Sequence, residues 1–276
     1  MSPKVSVLIV AWNRAQLIGR AIESVIEQTF RDWEIIVVDD GSTDATESVV
    51  KEWARKETRI RYFRREHIGR IAVVSNFGLK QARGEYIAIL DDDDSWASEE
   101  KLKKQVEFLD KNPEYVGCGG GFIVIDKDGR EGGRFFKPER DEDIKKRALI
   151  ANPMVNSTSL FRRKTAEKIG FYDETLPEFA DWDFWLKIGL GGKLYNFQEY
   201  FVYYLMWGRG SSFAKQKGTA YSAFKIVRRY GGKYSGFGTA SIMAYLYYAY
   251  AKFPEGVKHF LNPVLSRLKK TIFSRF

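Results

Sequence analysis

Four consecutive aspartates, Asp91-Asp92-Asp93-Asp94, follow the apolar run Tyr86–Leu90, and a second pair, Asp39-Asp40, follows the apolar run Glu34–Val38. A third group, Asp181 and Asp183, sits among aromatics in Phe179-Ala180-Asp181-Trp182-Asp183-Phe184-Trp185. Adjacent carboxylates repel one another and raise their own proton affinity. A divalent cation removes that cost, and hard oxygen ligands suit Mg²⁺ or Mn²⁺. Mg²⁺ is usually bound by one or two carboxylates plus substrate phosphates, so this grouping suits a nucleoside diphosphate. An acidic turn that merely caps a helix and faces water would explain a lone pair of aspartates. Four in a row after one apolar run, with a second pair after another, exceed what that explanation needs.

Such residues need a scaffold, and the first half of the chain supplies one. Val5–Val10 reads as a strand buried on both faces, followed by helical spacing in Leu17, Ile18, Ala21, Ile22, Val25 and Ile26. Glu34–Val38 is a second buried strand that ends in Asp39-Asp40-Gly41-Ser42-Thr43-Asp44, a turn whose Ser, Thr and Asp can cap the next helix. Arg59–Phe63 reads as a short strand, Ile71–Ala82 as a helix and Tyr86–Leu90 as a further buried strand. Alternation of this length predicts an α/β fold with a mostly parallel sheet flanked by helices. In such sheets ligands bind beyond the carboxyl ends of the strands, which is where both acidic clusters fall. Beyond Asp94 the pattern predicts a helix through Leu102, Val106 and Leu109, a strand over Tyr115–Ile125, a polar loop over 127–142, and a less regular α+β segment to about Tyr204.

With these pieces in place, the chain resembles the family 2 glycosyltransferases of GT-A fold. The resemblance rests on VSVLIVAWNR, QTFRDWEIIVVDDGSTD, ARGEYIAILDDDDSW, NSTSLFRR and FADWDFWLKI, in family order over roughly residues 4–212. It implies an inverting, metal-dependent transfer of a sugar from a nucleotide diphosphate donor, a UDP-sugar in the first instance, to a hydroxyl of a glycan or lipid-linked saccharide. It also implies roles. Val10, Ala11 and Trp12 would lie against the base. Asp40 would accept a hydrogen bond from the base imide, with Asp39 beside it. Arg70 would lie near the base or diphosphate. Asp91 or Asp92 would contact the ribose, Asp93 would be the principal metal ligand, and Asp94 would cap the following helix. Asp181 matches the catalytic base, with Asp183 supporting it or the fold.

Two departures from the family pattern stand out. Ser75 occupies a position where an Arg is common, and the stretch Tyr204-Leu205-Met206-Trp207-Gly208-Arg209 lacks the late His that can complete the metal site. The ion would then rest mainly on Asp93, diphosphate and water, with Trp207 and Arg209 forming a lid over sugar or phosphates. Of the aromatics near the proposed base, Phe184 and Trp185 read as core and Trp182 as the stacking surface for a sugar.

Composition narrows the alternatives. The chain has 276 residues, 44% hydrophobic and 29% charged, enough apolar content to bury a sizeable core. Cys118 is the lone cysteine, and His67 and His259 are the two histidines. That excludes an internal disulfide and Cys-based zinc sites, and leaves little for His-centred catalysis. The first residues read as a strand, not a signal peptide, so the expected location is cytoplasmic. The net charge of +9 is uneven: from Lys215 to Phe276 there are twelve Lys/Arg against one acid, Glu255. We therefore divide the chain into a catalytic domain, 1–214, and a basic, aromatic-rich helical extension, 215–276. Val257, Phe260, Leu261, Val264, Leu265, Leu268, Ile272 and Phe276 repeat at helical spacing with basic residues between them. Such a helix reads as binding an anionic membrane surface, peripheral on the inner face of the cell membrane. Tyr234–Ala251 carries no charge but holds too many Tyr, Ser and Gly residues for a bilayer span. The same apolar stripe would otherwise pack on the catalytic domain or on a second copy of the chain, giving a homo-oligomer.

Two rival readings remain at this level. A nucleotidyltransferase would use a similar α/β acidic metal site, but usually shows a Gly-rich, Lys/Arg-containing phosphate loop that VSVLIVAWNR lacks. A non-catalytic nucleotide- or nucleic-acid-binding protein would use the basic tail, but no nucleic-acid-binding motif accompanies it, and nucleic acid is not the expected partner.

Overall fold

The structure, a computed structural model, describes residues 2–206 and 216–253. Trp207, Arg209 and the basic stretch beyond Phe253 lie outside the described residues. The first half is the expected α/β alternation: β1 Val5–Ala11, α1 Ile18–Ile26, β2 Trp33–Asp39, α2 Thr46–Lys56, β3 Ile60–Arg64, α3 Ile71–Gln81 and β4 Tyr86–Ile89. β3, β2, β1 and β4 lie side by side in that order, all parallel. Every residue of β2 is buried, which explains its near-continuous apolar run.

The second half is less regular. It comprises β5 Ser95–Trp96, α4 Lys101–Lys111, β6 Tyr115–Ile125, β7 Glu131–Phe135, α5 Asp141–Arg147, a 3₁₀ turn at Asn156–Thr158, β8 Leu160–Arg162, α6 Arg163–Ile169, α7 Ala180–Gly189 and β9 Lys193–Leu205. The sheet continues from β4 through β8, β6 and β9 to β5. β4–β8, β8–β6 and β9–β5 pair antiparallel, whereas β6–β9 is parallel. The fold is thus the expected α/β class with helices on a central sheet; its parallel half is β3 to β4, and the remainder is mixed. The stretch 127–142, expected as a polar loop, instead contains β7, which pairs antiparallel with β6, and the start of α5. Gly132 and Gly133 hid that strand from the apolar pattern, because they give it no alternating side chains.

Two apolar clusters cover the two faces of the sheet, one around Val7, Ile9, Ile22 and Ile35, the other around Leu8, Ile36, Phe161 and Trp185. The last described helices, α8 Gln216–Tyr230 and α9 Phe237–Lys252, pack on α7 through Ile226, Tyr230 and Ala240 against Leu149, Trp182 and Leu186. No helix among the described residues is long and apolar enough to cross a membrane.

Candidate active site

β1, β2 and β4 end at one edge of the sheet, so the loops that follow them meet there. The β2–α2 turn begins with Asp39 and Asp40. Asp39 is fully buried; Oδ1 accepts from the Ser42 amide at 2.8 Å and Oδ2 from the Tyr62 hydroxyl at 2.6 Å. Its carboxylate shapes the turn, with no part of the residue exposed. Asp40 Oδ1 accepts from the Ile68 amide at 2.9 Å, and Oδ2 from the Gly69 amide at 2.8 Å with His67 Nδ1 at 3.0 Å. A carboxylate has about four lone-pair sites, so capacity for a further donor remains. Gly41 has φ +73°, and a Cβ there would meet the His67 amide nitrogen at 2.6 Å, so this turn and the 67–69 loop approach too closely for any side chain.

The β1–α1 loop carries the expected Val10, Ala11 and Trp12. The Ala11 carbonyl accepts from the Asp40 amide at 2.9 Å, and the half-exposed Trp12 indole stacks on His67, centroids 4.7 Å apart at 18°. A flat, partly open aromatic platform therefore adjoins Asp40. Arg70 stands at the N-terminal boundary of α3 and its side chain donates to the Glu174 carbonyl, and the Asn76 side chain both donates to the Tyr172 carbonyl at 3.0 Å and accepts from its amide at 3.0 Å. These contacts join α3 to the loop that leads into α7.

The four aspartates after β4 divide by role. Asp92 accepts from the Trp12 amide at 3.3 Å and from Arg14 Nε at 3.2 Å, and Arg14 Nη2 lies 3.8 Å from Asp93. Burial pushes Asp92 up to about 7 against the pull of Arg14. Asp91 rises to about 6, first through burial and then through the charges of Asp93 and Asp181. Asp93 is raised by burial, with Arg14 opposing. Asp94 is no helix cap: α4 starts at Lys101, and Asp94 is buried, accepting from the Ser157 hydroxyl at 2.5 Å and the Leu205 amide at 3.0 Å. It ties the acidic turn to the 3₁₀ turn and to the end of β9, and burial together with Asp91 holds its proton affinity well above the usual carboxylate range.

Asp181 lies in the first turn of α7, one helix start away from strain: Phe179, immediately before the helix, has φ +59°, a conformation that a bulky side chain adopts at a cost. The carboxylate accepts from Asn152 Nδ2 at 2.6 Å. Burial raises its proton affinity, while the backbone amides of Trp182 and Asp181, the Lys137 ammonium and Asn152 pull it back. Its field reaches Asp91, and Tyr204 feels Asp94, Asp91, Asp93 and Asp181 together. Asp181 and the acidic turn after β4 thus lie within electrostatic reach of one another.

One expectation about this region is corrected, and for Asp183, expected to support the base or the fold, the contacts are those of the fold. Trp182 is 6% exposed, with Nε1 donating to the Ala148 carbonyl at 2.7 Å, so its ring packs in the core and presents no face to a sugar. Asp183 is fully buried and faces α8, where it meets Arg229 Nη1 at 2.5 Å and the Tyr230 hydroxyl at 3.0 Å. Helical geometry explains the separation of roles: residues two apart on a helix point away from one another. Conversely, Arg14, His67, Lys137, Asn152, Ser157 and Tyr204 interact with the aspartates of this region without having been singled out. Arg14 stood in the quoted VSVLIVAWNR and Ser157 in NSTSLFRR; Lys137 had no local signal, being placed by the β7–α5 connection.

Residues 6–170 match Glycosyl transferase family 2. The chain belongs to that family. EpsE of Bacillus subtilis (strain 168), itself named as a glycosyltransferase, is 32% identical over 201 residues, 71% of each chain. Among solved structures, Staphylococcus aureus TarS 1-349 in complex with UDP-GlcNAc superposes with a TM-score of 0.64 at 22% identity, covering 82% of this chain and 66% of that one. The mannosyltransferase PcManGT from Pyrobaculum calidifontis, in complex with GDP-Man and Mn²⁺, gives 0.63 at 17% identity over 97% of this chain and 81% of that one. At these identities the two structures establish the fold of this glycosyltransferase, GT-A, and no more. Within that fold, no three His, Cys, Asp or Glu side chains among the described residues are arranged to hold an ion. Asp93 nevertheless suits one: its side chain is 34% exposed and its partner among the described residues is Arg14, at 3.8 Å.

Proposed function

We propose that this family 2 glycosyltransferase transfers a sugar from a nucleotide diphosphate donor, a UDP-sugar in the first instance, to a hydroxyl of a glycan or lipid-linked saccharide with inversion. The observation that carries the reading is that the acidic turn, whose Asp92 accepts from the Trp12 amide next to the Trp12–Asp40 platform, lies within electrostatic reach of Asp181. Neighbours of the same fold bind UDP-GlcNAc and GDP-Man, which supports a nucleotide-sugar donor.

Trp12, Val10 and Ala11 would receive the base, with Asp40 accepting its imide hydrogen. Arg70 lies at the start of α3, where it can leave the Glu174 carbonyl for the diphosphate. Asp91 and Asp92 border the ribose position. Asp93 would hold Mg²⁺ or Mn²⁺ with the diphosphate oxygens, and an ion there supplies neutralising charge to the leaving group. Asp181 accepts the proton of the acceptor hydroxyl as its oxygen bonds to the anomeric carbon. The bond from that carbon to the diphosphate breaks on the opposite side, and the nucleoside diphosphate departs. Lys137 and Asn152 oppose the burial that raises the proton affinity of Asp181, and the Asn152 hydrogen bond orients it. The basic stretch after Lys215 supports peripheral attachment to an anionic membrane, where a lipid-linked acceptor would be found.

The deciding experiment is a thermal-shift screen of UDP, GDP, ADP and CDP with and without Mn²⁺, followed by NMR of the sugar released from the stabilising donor. A UDP-selective, Mn²⁺-dependent rise with an inverted anomer is the expected result. A preference for nucleoside triphosphates with pyrophosphate release would replace it with nucleotidyl transfer.

A further inference from the structure

At the other end of α7 from Asp181 lies a cavity of about 680 Å³, between α6, the C-terminal end of α7 and the α8–α9 turn. Its lining includes Lys164, Lys168, Lys187, Arg229 and Lys233 and no carboxylate. Two of these cations are committed beneath the surface. Arg229 pairs with Asp183 at 2.5 Å and Asp173 at 2.7 Å, and Lys187 lies 3.4 Å from Asp183 and donates to the Phe171 carbonyl at 2.6 Å. The other three, Lys164, Lys168 and Lys233, are exposed and have no ion pair among the described residues.

Helix electrostatics does not account for this gathering. Lys168 lies in the last turn of α6, where a cation is favoured, but Lys164 lies in the first turn, where it opposes the helix dipole. The two are four residues apart, so like charges share one face. Lys233 arrives from the α8–α9 turn. Ammonium groups converging on a concavity with aromatic and aliphatic walls, here Tyr230 and Leu190, raise the local concentration of anions. We propose that this cavity is a second binding site, for a phosphate group carried on a partly apolar ligand. Phosphate on a lipid headgroup and phosphate on a soluble molecule share that chemistry. The neighbouring helix favours the lipid: α9 starts with Phe237 seated against Gly231, and its outer row Ile242, Tyr245 and Leu246 is 63%, 62% and 61% exposed. The site would then fix how the enzyme sits on the anionic surface proposed above, but its phosphate chemistry stands whatever the donor is.

The test uses the full chain and two triple variants, Lys164→Glu/Lys168→Glu/Lys233→Glu and a charge-matched control, Lys51→Glu/Lys56→Glu/Lys111→Glu. Each is floated with phosphatidylcholine vesicles with and without 20% phosphatidylglycerol, and titrated calorimetrically with inorganic phosphate in the presence of saturating UDP and Mn²⁺. We expect the control to float with anionic vesicles and the cavity variant to lose at least ~10-fold in apparent affinity, a conservative reading of three lost charges. Phosphate binding lost in the cavity variant, without vesicle binding by the parent, assigns the site to a soluble phosphorylated ligand. Equal losses in both variants, or no binding of phosphate or vesicles by the parent chain, overturn the proposal. Unchanged UDP stabilisation of the cavity variant separates this outcome from any failure of the donor assignment.

Discussion

Arg14 reaches from the β1–α1 loop to two members of the acidic turn, 3.2 Å from Asp92 and 3.8 Å from Asp93. The guanidinium is the cation that the carboxylates already have. In Arg14→Ala the ionised turn loses it, so the metal-free protein should melt about 2–4 °C lower at pH 8, the shift for ~1 kcal/mol in a protein of this size. At pH 4.5, where Asp91 and Asp92 are largely protonated, the difference should vanish. Differential scanning fluorimetry at the two pH values checks both arms.

The same carboxylates set a pH dependence of stability in the parent chain. Their folded proton affinities, about 6 for Asp91 and about 7 for Asp92, exceed the ordinary value of 3.8. Between pH 4 and 7 the folded state binds more protons than the unfolded one, so stability falls as pH rises through that window. The penalty is absent below about 3.8 and complete above about 7. Mn²⁺ should restore stability increasingly across the window, because it competes with those protons. A metal effect equal at pH 5 and pH 8 would contradict the assignment.

Asp93→Ala should abolish stabilisation by Mn²⁺ with UDP and lower kcat by roughly 10²–10³, the scale of losing charge stabilisation at a leaving group. Calorimetric titration of Mn²⁺ against the UDP complex measures the first effect independently of turnover.

Asp181→Asn should bind UDP as the parent does and lose roughly 10²–10⁴ in kcat. Activity should fall on acidification, because the base must be ionised. Lys137 pulls Asp181 down, so in Lys137→Ala the acidic limb of kcat/KM should move to higher pH. An unmoved limb would remove Lys137 from the site.

Asp183→Ala offers the opposite signature. The side chain is buried against Arg229 and Tyr230, and breaking a buried pair costs ~3–5 kcal/mol. Urea denaturation should show that loss, while turnover per folded molecule and the donor KM stay close to the parent.

The parallel half of the fold was legible in the sequence because its strands are buried on both faces and leave uninterrupted apolar runs. Sheet-edge logic put Asp40 and the Asp91–Asp93 turn just beyond β2 and β4, where the structure has them, and the family resemblance singled out Asp181. What escaped reading depends on contacts between distant segments. Asp94 resembled a cap because it precedes a helix, yet its partners Ser157 and Leu205 lie 63 and 111 residues away. Trp182 and Asp183 adjoin Asp181 in sequence, but the helix turns them toward Ala148 and Arg229. β7 was invisible because glycines interrupt it. Lys137 comes within electrostatic reach of Asp181 by virtue of how that strand returns.

Asn76 engages both the carbonyl and the amide of Tyr172, so one side chain serves as a stretch of backbone joining the parallel half to the approach to α7. Recombination between relatives is constrained accordingly. A chimera that takes its donor-side strands from one parent and its α7 region from another would have to keep Asn at 76, since any residue but proline supplies the backbone groups at 172, or lose the registration of the two halves.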